Sequence, residues 1–386
     1  MAVYLLSGAR TAFGSFMGGL SSVPAPRLGA VAIKGALAKA GVGPDQVNEV
    51  FLGQVIQAGA GQAPARQATL FAGLPESVPA ITLNKVCGSG LQAVIAGARS
   101  ILTGENHIVV SGGMENMSLA PHLLPNARTG LKFGAAEMKD SMQWDGLWDV
   151  YTDRAMGNCA EECVAKYGMT RAEQDAFAIE SFKRAQAASK DGFFKDEIVA
   201  VPVPAKGGSV DVLEDEGPFK ANFEKIPGLR PAFDKNGTIT AANASTINDG
   251  ACALVLGGDN FAGTAKYKIV AWAGHAQNPT WFTTAPVGAI QKVLEKAKLK
   301  AEQIDLWEIN EAFAAVPMKT ARDLGVDIDR VNVNGGSIAM GHPLGATGCI
   351  ILGTLLDELE RRGLATGLAT LCVGGGMGIA TIIERV

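Results

Sequence analysis

Apolar residues in the stretch 31–53, VAIKGALAKAGVGPDQVNEVFLG, first recur at helical spacing and then run together as a short block. That change of period predicts an amphipathic helix, a short loop and a strand. Residues 288–310, GAIQKVLEKAKLKAEQIDLWEIN, repeat the pattern at an offset of 257 positions: Ile33 meets Ile290, Leu37 meets Leu294, Gln46 meets Gln303 and Val47 meets Ile304. The same order continues downstream in both places. A glycine-rich turn feeds an apolar helix at 88–102 and again at 345–359. A strand then runs into glycines and methionine at 108–114 (IVVSGGM) and 369–377 (ATLCVGGGM). A repeat of this length is a duplicated half of a protein, not the short unit of a solenoid.

A closing strand follows in each half, but at different distances. In the second half it comes at once, at 378–384 (GIATIIE); in the first it is 250–257 (GACALVLG), well over a hundred residues after Gly113. The stretch from about 115 to 241 therefore reads as an insertion into the first half. Helices are predicted within it at 158–167 and 170–188, the second opening on a capping box of Thr170 and Glu173. Alternating strands and helices in each half point to α/β layers with mixed sheets. The expected domains are 1–116 with 242–265 as the first half, 117–241 as an inserted loop domain, and 266–386 as the second half.

Composition narrows the function classes. Of 386 residues, 47% are hydrophobic and 19% charged, enough apolar content to bury a large core without disulfide or metal staples. The net charge is −4, with no basic block to drive binding to nucleic acid or to an acidic membrane surface. No apolar run is long enough to span a bilayer, and the N-terminus MAVYLLSGARTAFG reads as a first strand and turn, not as a secretion signal. Six cysteines and four histidines lack zinc-ligand spacing, and Cys159 and Cys163, one helical turn apart, read as packing residues. A reducing, cytoplasmic setting with free thiols is expected, with no metal and no cofactor.

Three short segments carry candidate chemistry. In 83–93, LNKVCGSGLQA, Cys87 sits in a turn ahead of a helix, where the helix dipole is expected to lower its pKa and favour the thiolate. Gly88 and Gly90 flank Ser89 and leave room for a substrate carbonyl near free N–H groups. A small buried thiol in a tight turn is the plainer alternative. In 332–348, NVNGGSIAMGHPLGATG, His342 lies in a glycine-dense loop just before a helix, as a general base should, although a satisfied core histidine fits as well. In 369–378, ATLCVGGGMG, Cys372 ends a strand and Gly374–Gly376 offer unobstructed N–H groups, unless this is merely a buried cysteine before a turn. Asn310 in EINEAFA adds a polar group at a strand end, or else caps a helix beginning at Glu311. Cys87 belongs to the first half, whereas His342 and Cys372 belong to the second. If the halves pack about a pseudo-twofold axis, these turns can meet at one cleft. Two thiols, an imidazole and two sets of N–H donors suit acyl transfer followed by carbon–carbon bond formation.

The segments VCGSGLQA (86–93), GGMENMS (112–118), NEAFA (310–314), NGGSIAMGHPLGATG (334–348) and CVGGGMG (372–378) together resemble the signature segments of the thiolases, in the family's order and along the whole chain. The resemblance implies a five-layered αβαβα sandwich of two βαβαβαββ halves with an inserted loop domain. It also implies roles. Cys87 would take the acyl group from an acyl-CoA with His342 as its base, and Cys372 would remove the α-proton of acetyl-CoA. Asn310, through a water, and His342 Nε2 would form one oxyanion hole; the N–H groups of Cys87 and Gly374 would form the other. Coenzyme A, as substrate and product, would lie near Met156, Lys225, Phe233 and Ser245, with Phe313 against its pantetheine end. Taken alone, Lys225 reads as a solvated loop charge and Ser245 as a turn residue.

Family detail leans towards the acetoacetyl-CoA type, with a degradative 3-ketoacyl-CoA thiolase of broader chain length as the alternative. A non-catalytic acyl-CoA carrier and a decarboxylating ketoacyl synthase fit the residue set less well. The chain departs from the biosynthetic pattern in reading Ala155-Met156-Gly157 where His-Met-Gly is usual, which puts strict short-chain specificity in doubt. Phe282 stands where many relatives have methionine. Pro218 falls where potassium-dependent relatives carry a tyrosine, so potassium dependence is not predicted. A homodimer or homotetramer is implied, with the loop around 121–134 as the place to seek a tetramer contact.

Overall fold

The computed structural model describes residues 2–386. The first half supplies strands β1 (Val3–Arg10), β2 (Glu49–Gly53), β3 (Ala80–Leu83), β4 (Ile108–Asn116) and β5 (Asn248–Gly257). The second supplies β6 (Tyr267–Ala276), β7 (Leu306–Ile309), β8 (Thr366–Val373) and β9 (Met377–Arg385). Their order is β7-β8-β9-β6-β1-β5-β4-β2-β3. Each half starts at its own first strand and runs outward in the same sequence, 1-5-4-2-3 against 6-9-8-7, and Val331 makes a parallel bridge to Trp307 of β7 where a fifth strand would lie. The duplication seen as an offset of apolar positions is thus repeated in the hydrogen bonding. The halves are joined edge to edge, because β1 pairs antiparallel with β6 from Val3–Ile269 to Leu5–Tyr267.

Helices α1 (Ala25–Ala40) and α2 (Pro64–Phe71) cover the outer face of the first half, and α6 (Ala285–Ala297) and α7 (Ala315–Leu324) that of the second. Between the halves lie α3 (Ser89–Leu102) and α8 (Leu344–Arg362). Every residue of α8 from Leu344 to Gly353 is buried, which a surface helix with one apolar stripe cannot achieve. The core around these two helices draws Val109, Leu254 and Leu256 from one half and Leu371, Ile379 and Ile383 from the other. Helix, sheet, paired helices, sheet and helix make the five layers that the family resemblance implies.

The crossing of α3 and α8 places the site. A Cβ on Gly90 would stand 2.8 Å from the Cys349 nitrogen, and one on Gly348 would stand 2.5 Å from that of Leu91. Only two backbones without side chains approach this closely. Because Cys87 precedes α3 and His342 precedes α8, a tight crossing of the two helix starts brings both residues together. Gly90 therefore serves packing here, beyond the room for a substrate carbonyl expected from its motif, and Gly348 serves the same packing from the other helix.

Between β4 and β5 the chain forms α4 (Met156–Tyr167) and α5 (Arg171–Asp191), with short hairpins and turns. Thr170 caps α5 reciprocally with Glu173, as the sequence pattern predicts. Cys159 and Cys163 are fully buried on α4. This segment is anchored by an ion cluster in which Arg10 of β1 donates to Glu197 (2.7 Å) and to Asp215 (2.8 Å). No helix among the described residues is long and apolar enough to cross a membrane.

Candidate active site

Cys87 lies in the turn from β3 to α3, two residues before the helix begins, and is half-buried. Its own N–H and that of Gly374 face the sulfur. The helix dipole was expected to lower this pKa; instead burial pushes the thiol up to about 11, outweighing both N–H groups, with a smaller push from the nearby charge of Glu115. That corrects the expectation of a resting thiolate. A dipole acts over one turn, whereas loss of water acts on the whole sulfur.

His342 is held from three sides. Its N–H donates to Asn248 Oδ1 (3.0 Å), Nδ1 lies 2.7 Å from Thr347 Oγ1, and Nε2 lies 3.4 Å from Asn310 Nδ2. Gly341, at φ 128°, makes the first contact feasible, since a Cβ there would sit 2.4 Å from Asn248 Cγ. Thr347 Oγ1 donates to the Pro343 carbonyl (2.9 Å), so it must accept from Nδ1–H. The tautomer follows: the proton is on Nδ1 and the lone pair of Nε2 faces the site. Burial lowers this imidazole to about 4, so at neutral pH it is an uncharged base. Thr347→Val keeps the shape and removes the acceptor. A fall in kcat of roughly tenfold to a hundredfold at unchanged KM is expected in steady-state kinetics, and a wild-type kcat would exclude this tautomer lock.

The His342 shift also sets an acid sensitivity. Because its folded pKa lies below the unfolded value of 6.5, the native state binds fewer protons between the two, and stability falls as pH drops from 6.5 through about 4. The full loss is about 3 kcal/mol. Thermal midpoints over this range should fall more steeply for the wild type than for His342→Asn.

Cys372, near the end of β8, is fully buried, and burial raises its thiol well above the ordinary range, with a smaller contribution from neighbouring Cys87. Beyond it the chain turns through Gly375 (φ 81°) and Gly376 (φ 77°) into β9, and this turn presents the Gly374 N–H. Asn310 follows β7, and α7 begins only at Ala315, so Asn310 does not cap a helix. Its Oδ1 accepts from Ser337 Oγ, which orients its NH2 group towards His342.

These groups surround a cavity of about 290 Å³ whose wall includes Cys87, His342 and Gly374. Met156, Phe233, Ser245, Phe282 and Phe313 line it as well. Phe313 meets Phe233 and Phe282 edge-on, at 6.0 and 6.2 Å between ring centroids, so the cavity is walled by aromatic rings. Cys372 and Asn310 lie behind the wall, one beside Cys87 and the other beside His342. Lys225 does not join them: it is exposed in the turn Phe223–Gly228 and is not part of the wall. Ala155 lines the cavity, so the departure from the usual histidine falls in the wall itself.

Sequence reading missed several contributors. Met117, Leu147, Ile247 and Leu344 form the apolar side of the cavity near Cys87. Glu115 is fully buried and accepts N–H bonds from Val55 (2.9 Å), Ile56 (3.1 Å) and Gly345 (2.8 Å), tying the start of α8 to the loop after β2. Burial nonetheless pushes its carboxyl up to about 7. Its only signal in the sequence was an acidic residue near the end of a strand whose preceding positions, 108–114, are apolar or small.

Residues 3–259 match the family described as thiolase, N-terminal domain, and residues 264–385 match that described as thiolase, C-terminal domain. The chain is 51% identical to an acetyl-CoA acetyltransferase of Cupriavidus necator, covering 99% of both proteins. It is 48% identical to an acetyl-CoA acetyltransferase of Schizosaccharomyces pombe, covering 100% of this chain and 99% of that one. The crystal structure of the Bacillus anthracis acetyl-CoA acetyltransferase superposes with a TM-score of 0.97 at 39% identity, over 100% of this chain and 99% of the other.

Proposed function

The chain belongs to the thiolase family, and from that premise we propose that it joins two acetyl-CoA molecules into acetoacetyl-CoA and CoA, reversibly, through an acyl-enzyme at Cys87. The observation that carries this reading is the meeting of Cys87, His342 and Cys372 from two halves of the chain, with two N–H groups already aimed at the sulfur of Cys87.

In the first step the Cys87 thiol gives its proton to His342 Nε2 as the sulfur attacks the acetyl carbonyl. With the thiol near 11 and the imidazole near 4, the ion pair is scarcely populated at rest, so proton transfer accompanies attack. The tetrahedral oxyanion is received by the N–H groups of Cys87 and Gly374. The departing CoA thiolate takes the proton of Cys372, which leaves a thiolate beside the acyl-enzyme. In the second step that thiolate removes the α-proton of a new acetyl-CoA. The enolate, bound by protonated His342 and by Asn310 through a water, attacks the acyl carbon. Cys87 leaves as thiolate and recovers its proton from His342. The sum is two acetyl-CoA to acetoacetyl-CoA and CoA, with no net proton change and no call for a metal or cofactor.

Turnover across a series of 3-oxoacyl-CoA substrates, with mass-spectrometric trapping of the acyl group on Cys87, tests the reading. Acetoacetyl-CoA is expected to be the best substrate; faster turnover of long chains would overturn that choice and favour a degradative thiolase. A cytoplasmic homodimer or homotetramer is part of the same proposal. The exposed Leu131, Phe133 and Met138 support self-association through the arm after β4, and light scattering of an arm variant checks it.

A further inference from the structure

Seven non-glycine residues among those described have a positive φ, and Val86, at 46°, is the only β-branched one. A β-branched side chain in the left-handed region is a genuine outlier, and such conformations persist only where the surroundings over-determine them. Here the surroundings are explicit. The Val86 N–H donates to Asn84 Oδ1 (2.9 Å), and the Val86 carbonyl accepts from the Ser89 N–H (3.0 Å) and from Ser89 Oγ (2.6 Å). Ser89 Oγ in turn accepts from the Lys85 N–H (2.8 Å), so one hydroxyl closes the turn from both sides. Asn84 is itself moored, donating to the Val55 carbonyl (3.3 Å).

Glycine is the residue that this φ favours, yet the chain has valine, and its side chain has a specific neighbour. Val86 Cγ1 lies 3.3 Å from where a Cβ on Gly374 would stand. Val86 belongs to the first half and Gly374 to the second, so the isopropyl group is wedged across the junction, beside the sulfur that both N–H groups face. A local rule broken next to reacting atoms marks a functional constraint.

We propose that Val86 is a positioning residue for acylation: its left-handed turn and its wedge against Gly374 hold the N–H groups of Cys87 and Gly374 together at the Cys87 sulfur. This rests on the reading of Cys87 as nucleophile. Removing the wedge lets the Gly374 N–H drift from the sulfur, which weakens the oxyanion site, while Val86 itself is not part of the cavity wall that receives the acyl-CoA. Val86→Gly relieves the strained φ and deletes the wedge; Val86→Ile keeps both.

Single-turnover acetylation of Cys87 by acetyl-CoA, followed by mass spectrometry, separates the possibilities. For Val86→Gly the maximal acetylation rate should fall by about tenfold or more at an unchanged half-saturating acetyl-CoA concentration, while the thermal midpoint does not fall. Val86→Ile should stay within about threefold of wild type. Wild-type acetylation by Val86→Gly would overturn the proposal. So would equal losses of rate and thermal midpoint in both variants, which would mark Val86 as packing alone. A wild-type enzyme that never carries acetyl on Cys87 would overturn the functional reading, and this proposal with it.

Discussion

Replacing Cys372 with alanine is expected to lower the condensation rate by about a thousandfold while slowing the acetylation of Cys87 far less, because CoA can leave as a thiolate without an acid. The separation follows from geometry. Cys372 is buried behind the cavity wall beside Cys87, and the donors at the Cys87 sulfur are backbone N–H groups of Cys87 and Gly374. The nucleophile therefore keeps its oxyanion donors and His342 keeps its Thr347 partner when the second thiol is gone. What is lost is the base for the α-carbon, which condensation requires, and the proton donor to departing CoA, which acetylation needs less. Two measurements check this together: acetyl transfer to Cys87 in a single turnover, and exchange of acetyl-CoA methyl protons with deuterated solvent. Exchange persisting at the wild-type rate would assign the carbon base elsewhere. Because burial raises this thiol well above its ordinary range, the variant should also leave the resting charge of the site unchanged.

Gly113→Ala should be among the most disruptive glycine-to-alanine changes in the described chain. A Cβ on Gly113 would stand 1.9 Å from the Gly345 carbonyl oxygen and 2.9 Å from the Ala346 Cα. Both neighbours are backbone in the first turn of α8, so no rotamer change relieves the clash. Overpacking against fixed backbone costs about 3 kcal/mol or more. The start of α8 must then lift from β4, and with it the Gly345 N–H bond to Glu115 and the loop that holds His342. Soluble yield, thermal midpoint and activity are expected to fall together. Gly263→Ala is the control, since nothing lies within 4 Å of its added methyl. A Gly113→Ala protein as stable as that control would show that α8 and β4 do not pack as described.

Much of this was legible in the chain. The offset of 257 positions carried the duplication, because helix and strand periods depend only on the order of apolar side chains. It did not reveal that the halves join through β1 and β6, since edge pairing between first strands leaves no period of its own. Cys87, His342 and Gly374 were legible because glycine-flanked turns before helices and after strands mark themselves by composition. Lys225 was not placed in the cavity wall, and its loop shows why: a cation in a turn looks the same whether it faces a ligand or solvent.

Order along the chain determined the elements, the repeat and the identity of the reactive groups, since each depends on neighbours within a few residues. Tertiary structure alone decided their chemical state. The Cys87 thiol sits near 11 and His342 near 4 because burial removes water from both, and burial is a property of the closed core. The His342 tautomer depends on Thr347, and the ionisation of Glu115 on its burial, opposed by N–H groups of Val55, Ile56 and Gly345 drawn from both halves of the chain. The strained φ of Val86 is held by local hydrogen bonds, but its purpose appears only against Gly374, nearly three hundred residues away. Electric fields, desolvation and steric contact act through space, so the reactivity of a motif is fixed only once its distant neighbours have arrived.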